Sequence, residues 1–267
     1  MTKLIAEIGW NHMGDMKLAK KMILAAKSSG ADFAKFQTFD VKRLKSGPWD
    51  KDGRREIYEK AQLDLDNHIE LKKYCDEIGI GFMSSVFSIG DAKLLKQAVS
   101  DYVKIPSMES RNKKLIQYCS SKFENILIST GTSTYAEIKD ITNCFLNNSK
   151  YSLLHCVSSY PCDFGVVNLP RINHLKNLCK SVGFSDHTLT VDAAILSLGY
   201  NIDFIEKHFT IDKNLPGRDN KFAILPKEMK ILSKYIKIAN DVMKDKGVDY
   251  QKCELDSRQI YSGRWDG

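Results

Sequence analysis

Two histidines set the most demanding chemistry in this sequence. His187 closes the segment GFSDH and His208 closes IEKH, and each follows a short apolar run that reads as a strand. Neighbouring parallel strands lie about 4.8 Å apart, so both imidazoles could reach one divalent ion. Two lysines make a second demand. Lys35 stands in AKFQTF and Lys104 in VKIPSMES, each inside a strand-like run. In a parallel strand covered on both faces, a lysine needs an anion beside it. Gln37 follows Lys35 by two residues and shares its face.

Other polar residues collect at the ends of the same runs. Glu7, Asn11 and His12 lie in EIGWNHMGD, Ser84 and Ser85 in FMSSVF, and Ser107 and Glu109 in VKIPSMES. Ser129, Thr130 and Gly131 lie in ISTGT, and His155, Ser158 and Tyr160 in LLHCVSSYP. Ser185 and Asp186 precede His187, Glu206 and Lys207 precede His208, and Asp219 follows in LPGRDNK. A single serine at a strand end ordinarily caps the next helix. Repeated from one strand to the next, hydroxyls and helix-start N–H groups suit an anion such as phosphate. Glu7 and Glu206 lie within strands, where a solvated face is not available, whereas Glu109 and Asp219 lie in loops. His68 and His174 fall on helical stretches and read as solvated or capping residues.

The elements that must position these groups alternate along the chain. Strand candidates are Lys3–Ile8, Phe33–Phe39, Gly81–Val86, Tyr102–Ile105, Ile126–Thr130, Ser152–Val157, Val182–Ser185 and Phe204–Phe209. Apolar spacings of three and four predict helices over Met16–Ser28, Asp66–Ile78, Gly90–Ala98, Lys113–Ser121, Thr134–Leu146, Leu169–Cys179, Val191–Gly199 and Pro226–Lys244. Asp15, Ser133 and Thr190 are the expected caps, and Gly30, Gly79 and Gly199 the expected stops. Eight strand–helix units without a composition break predict one closed (β/α)8 TIM barrel over residues 1–245, with a tail at 246–267. The Gly-rich dinucleotide fingerprint is missing after the first strand, against an open Rossmann sheet. Val41–Ala61 reads as the longest irregular segment, a loop overhanging the active face.

Composition narrows the class. The 267 residues carry a formal charge of +7 without a basic block, which argues against a nucleic-acid partner. Seven cysteines without a CxxC pair read as reduced thiols. No apolar run is long enough to span a membrane, and the N-terminus lacks a signal-peptide pattern, so the expected location is cytoplasmic.

Taken in order, IAEIGWNHMGD, KFQTF, FMSSVF, VKIPSMES, ILISTGT, LLHCVSSYP, GFSDHT, IEKHFT and PGRD resemble the N-acetylneuraminate (sialic acid) synthase family, which also makes legionaminic and pseudaminic acids. The resemblance runs from Leu4 to Lys230 with one motif per strand. It implies condensation of phosphoenolpyruvate with an open-chain aldehyde sugar, N-acetylmannosamine-like, to give a nonulosonic 2-keto acid and phosphate. By that resemblance Lys104, Ser107, Ser129 and Ser185 are phosphoenolpyruvate-binding positions, with Lys35 and Ser85 nearby. His187 and His208 correspond to manganese ligands, although magnesium or another ion also suits two histidines and water. Glu7, Gln37, Tyr160 and Asp219 resemble positions that hold the amino sugar. Glu109 resembles the carboxylate that acts near the reacting carbons, alongside Lys104 and Glu7.

Two departures stand out. Ser158 occupies a position where the family usually has Asn, so one phosphate or sugar contact would be shortened or replaced by water. Many members also carry a C-terminal antifreeze-like (SAF) domain that contributes an arginine to the partner subunit's site. This sequence ends where that domain would begin. Either the domain was trimmed, or a separate cap-domain protein supplies it, or the sugar does without it; Arg218, Arg258 and Arg264 are candidate substitutes. A homodimer is the implied assembly. Two alternatives stay open: a Kdo-8-phosphate or DAHP-type synthase acting on a phosphorylated aldose, and a non-catalytic ligand-binding subunit of a split synthase.

Overall fold

The alternation of strand and helix closes the chain into a (β/α)8 barrel in the computed structural model, which describes residues 1–98, 100–146 and 149–265. The strands are β1 (Lys3–Gly9), β2 (Phe33–Thr38), β3 (Gly81–Val86), β4 (Tyr102–Ile105), β5 (Asn125–Ser129), β6 (Lys150–Cys156), β7 (Ser181–Asp186) and β8 (Phe204–His208). Each pairs in parallel with the next, and β8 returns to β1 through Glu7 opposite His208. The helices are α1 (Met16–Ser28), α2 (Arg54–Ala61), α3 (Leu65–Ile78), α4 (Ile89–Gln97), α5 (Lys113–Lys122), α6 (Tyr135–Thr142), α7 (Arg171–Lys176), α8 (Asp192–Ser197), α9 (Pro226–Val242) and α10 (Leu255–Tyr261).

The barrel axis is filled in tiers. Ile5, Phe33, Met83, Leu127 and Leu154 form an inner apolar cluster, joined by Tyr102 and Phe204. Side chains alternate along a strand, so the residue two places further on faces the same axis. Those residues are Glu7, Lys35, Lys104, Ser129, Cys156 and Glu206, and the same step from Met83 reaches Ser85. An apolar plug thus carries a polar tier directly above it. The opposite strand faces pack with the helices into a larger core of Ile, Leu, Val and Phe. Within α1, Ala19, Met22, Ile23 and Ala26 are buried, and the Asp15 side chain caps the helix by accepting from the N–H groups of Lys17 and Leu18. Such a cap stabilises by about 1 kcal/mol.

Several expectations need correction. The segment 41–61 is not structureless: it holds two 3-10 turns and α2. The α2 sequence RREIYEKA buries only Ala61, so its apolar face was too narrow to read as periodicity. His68 is neither solvated nor a cap. It is fully buried, with Nδ1 at 2.6 Å from the Asp64 carbonyl and Nε2 at 2.7 Å from Thr38 Oγ1. Thr134, not Ser133, caps α6, and the Thr190 hydroxyl bonds Asp192 while Val191 takes the N-cap position of α8. Gly199 falls inside a 3-10 turn that ends at Asn201, in a left-handed conformation. The tail, expected to be a helix exit and short extension, contains the exposed helix α10; Asp266 and Gly267 lie outside the described residues. Among the described residues no helix is long and apolar enough to cross a membrane.

Candidate active site

At the carboxyl end of the barrel the polar tier forms one connected charge network. Lys104 Nζ donates to both carboxylate oxygens of Glu206, at 2.9 and 2.8 Å. Lys35 Nζ lies 2.7 Å from Glu7 Oε2, 2.8 Å from Ser85 Oγ and 3.6 Å from Glu206 Oε2. Ser185 Oγ donates to Glu206 Oε1 at 2.9 Å, and Gln37 Nε2 donates to Glu7 Oε1 at 3.0 Å. All but Gln37 are buried. Burial alone would raise the Glu206 pKa, but Lys104 and Lys35 outweigh it and hold the carboxyl well below the usual range. Burial raises the Glu7 carboxyl against the pull of Lys35, and lowers Lys104 against the pull of Glu206. Two lysines and two carboxylates therefore share one pocket.

A second corner lies over β4–β6. The Gly131 N–H donates to Ser107 Oγ at 3.1 Å. A Cβ on Gly131 would meet Ser158 Oγ at 2.4 Å and Ser107 Oγ at 2.7 Å, so only glycine leaves this hydroxyl cradle intact. Ser129 Oγ is enclosed and makes no hydrogen bond. Cys156 Sγ sits between, 3.4 Å from Ser107 Oγ and 3.8 Å from His187 Nδ1.

His187 and His208 meet at the third corner, with ring centroids 5.5 Å apart. His187 Nδ1 lies 2.9 Å from the Val157 carbonyl, which fits a proton on Nδ1, and although burial alone would lower its pKa, Cys156 and that carbonyl raise it. His208 is buried, and its Nδ1 has no hydrogen-bond partner and stands 3.6 Å from Asp219 Oδ2. Burial, with His187 and Lys35 adding, holds the His208 pKa well below its ordinary value, so this imidazole is in the neutral form a metal requires. Burial and the nearby Glu7 push Asp219 up to about 7. Two imidazoles beside a carboxyl fit a divalent ion of the manganese or zinc type. Among the described residues no group of three or more His, Cys, Asp or Glu stands close enough together to hold a metal ion by itself. Tyr160, 44% exposed, lays its ring 4.1 Å from His187 and 5.5 Å from Phe222.

The structure thus brings together Glu7, Lys35, Gln37, Ser85, Lys104, Ser185, Glu206, His187, His208, Asp219 and Tyr160, with Ser107, Ser129 and Ser158 in the adjoining cradle. Glu109 stands apart. It is half-buried in a 3-10 turn, and its carboxylate accepts from Asn112 Nδ2 at 2.9 Å rather than from any member of the network. His12 and His155 are buried away from it: the Gly14 N–H donates to His12 Nδ1, and His155 stacks on Phe184. Sequence reasoning missed two residues. Glu206, noted only as buried, joins both lysines; Cys156, read as a plain thiol, lies on the axis two residues past Leu154.

Comparison with known proteins decides the family. The NeuB family model matches residues 22–247. The chain belongs to the NeuB family. An N,N'-diacetyllegionaminic acid synthase of Campylobacter jejuni is 35% identical over 260 residues, covering 91% of this chain and 78% of that protein. A second from Legionella pneumophila is 36% identical, covering 90% and 72%. The crystal structure of N-acetylneuraminic acid synthetase from Leptospira borgpetersenii superposes with a TM-score of 0.88 at 27% identity, covering 97% of this chain and 92% of that one. A truncated DAHP synthase from Thermotoga maritima, at 11% identity and TM-score 0.69, shares the barrel fold. As a NeuB family member the chain is a carbon–carbon bond-forming transferase of the sialic acid synthase type.

Proposed function

We propose that this NeuB family barrel condenses phosphoenolpyruvate with an open-chain N-acylated aldose, giving a nonulosonic 2-keto acid and phosphate. The observation that carries the reading is the buried Lys35–Glu206–Lys104 network set beside the His187–His208 pair. One corner suits an anion and the other an aldehyde oxygen. A divalent ion, manganese first, held by His187 and His208 with Asp219 alongside, would supply Lewis-acid polarisation of the aldehyde when bound.

The chain's own residues account for the rest. Lys104 and Lys35 balance the phosphate and carboxylate of phosphoenolpyruvate, and Ser85, Ser107, Ser129 and Ser185 donate to their oxygens. Glu7, Gln37, Tyr160 and Asp219 orient the sugar so that its carbonyl carbon faces C3 of phosphoenolpyruvate. The C2=C3 π pair forms the new bond to the aldehyde carbon, the carbonyl π pair moves onto its oxygen, which takes up the proton released by the water of the next step, and C2 becomes electron-poor. Water adds to C2, and the tetrahedral carbon then expels phosphate to leave the 2-keto acid. Glu109 would steer that water only after releasing Asn112. Ser158, next to Gly131, covers the phosphate corner with a shorter side chain than Asn. The relatives named as N,N'-diacetyllegionaminic acid synthases support a diacetamido sugar over a phosphorylated aldose.

His187→Ala tests the metal corner. Titration of the purified variant with Mn2+ is expected to show at least a tenfold weaker site, with an unchanged circular dichroism spectrum. Undiminished Mn2+ affinity would sink the assignment.

A further inference from the structure

Trp10 is the first residue past β1, in EIGWNHMGD. Gly9 before it adopts φ 54°, and a Cβ there would crowd Gln37 Nε2 at 3.2 Å and Glu7 Oε1 at 3.3 Å. This left-handed turn, beside Glu7 and Gln37 of the site, leads the chain from β1 into the loop that Trp10 begins. The indole lies 4.8 Å, centroid to centroid, from the ring of Tyr58 on α2, and Tyr58 meets Phe39 edge-on at 5.8 Å. The loop is clamped in place: a Cβ on Gly14 would fall 2.1 Å from the Lys60 carbonyl oxygen, so the loop's backbone packs directly on α2.

One polar atom in this aromatic wall is unaccounted for. Trp10 Nε1 is enclosed yet makes no hydrogen bond. It faces the Asp219 carboxyl closely enough to lower that group's pKa against burial, but outside hydrogen-bond geometry. A buried N–H without an acceptor costs about 1–3 kcal/mol. A buried donor in this state calls for an acceptor, and a ligand can bring one. On a purely structural account the indole would fill space under α2, and its nitrogen would be dispensable.

We propose that Trp10 is a specificity-determining residue: its indole N–H donates to an oxygen of the aldehyde substrate, while the Trp10–Tyr58 pair covers that substrate's carbon chain. The inference rests on the proposed reaction and adds to it a recognition element beside Asp219. The second substrate is then one that presents a hydroxyl or acyl carbonyl toward β1 together with an apolar flank, as an N-acylated deoxyaldose does.

The test is steady-state phosphate release by wild type, Trp10→Phe and Trp10→His, with Mn2+, phosphoenolpyruvate and either N-acetylmannosamine or a 2,4-diacetamido-2,4,6-trideoxyhexose. Trp10→Phe keeps a ring on Tyr58 and removes the N–H. It is expected to raise KM for the sugar about tenfold, the worth of one hydrogen bond, with kcat and KM for phosphoenolpyruvate within about twofold. Trp10→His, which restores a ring N–H, should recover part of the sugar KM, and it decides the matter if Trp10→Phe does not fold. An unchanged sugar KM in Trp10→Phe, or an equal rise for both substrates, overturns the inference alone. No phosphate release by wild type with either sugar overturns the proposed reaction and the inference with it.

Discussion

Lys104 and Glu206 are 102 residues apart in sequence, on strands that face each other across the barrel, yet Lys104 Nζ touches both carboxylate oxygens of Glu206 at 2.9 and 2.8 Å. The pair bridges the barrel from β4 to β8 and is buried on both sides. An incoming anion must therefore share Lys104 with Glu206, and Lys35, 3.6 Å from the same carboxylate, supplies the additional positive charge.

Removing one partner leaves an uncompensated buried charge. Lys104→Met is expected to lower the unfolding free energy by about 3 kcal/mol in urea titrations and to cut phosphate release roughly a hundredfold or more. The double variant Lys104→Met with Glu206→Gln should recover part of the stability and none of the activity. Activity returning with stability would show that Lys104 only holds the fold.

Gly131 leaves no room for a side chain between Ser107 and Ser158. Gly131→Ala should raise KM for phosphoenolpyruvate about tenfold or more, because the new methyl must displace Ser107 or Ser158 from its place. The sugar KM should move much less. A variant with unchanged phosphoenolpyruvate KM would remove the phosphate from this corner.

Two buried histidines outside the network make the fold sensitive to acid. Burial holds His12 and His155 at about 4. Their unfolded value is about 6.5. Folded pKa values below unfolded ones give stability that is present above pH 6.5 and lost as pH falls from there through 4, by about 3 kcal/mol per residue. Melting temperatures in EDTA should therefore fall from pH 6.5 to 4.5, and His155→Gln should flatten the decline. An identical slope in the variant would contradict the assignment.

The parts of this molecule legible in its sequence are those where one local signal dominates. A lysine in a covered strand has few explanations, so Lys35 and Lys104 stood out, and strand alternation kept Gln37 on the same face. The strands themselves appeared because β-branched runs are short and punctuated. Relations between distant residues were harder. Glu206 carries no local mark of being a hub, since its partners lie on β2, β4 and β7. His68 looked like any polar residue on a helix, and only the packing of α3 against β2 and β3 gives its ring Thr38 as a partner. The α2 helix escaped because charged residues fill it, and with it escaped the Trp10–Tyr58 wall. Glu109 was singled out by motif alone, and its hydrogen bond to Asn112 turns it toward the start of α5.

The proposed reaction has one pocket join phosphoenolpyruvate to an aldehyde sugar. Its most direct test follows phosphate and product together, with phosphoenolpyruvate, Mn2+ and the 2,4-diacetamido-2,4,6-trideoxyhexose or N-acetylmannosamine, by a phosphate assay and mass spectrometry. One phosphate is expected for each 2-keto acid formed, with neither appearing when the sugar is left out or EDTA is added. Phosphate released without sugar, or a panel of such sugars giving no 2-keto acid, would contradict it.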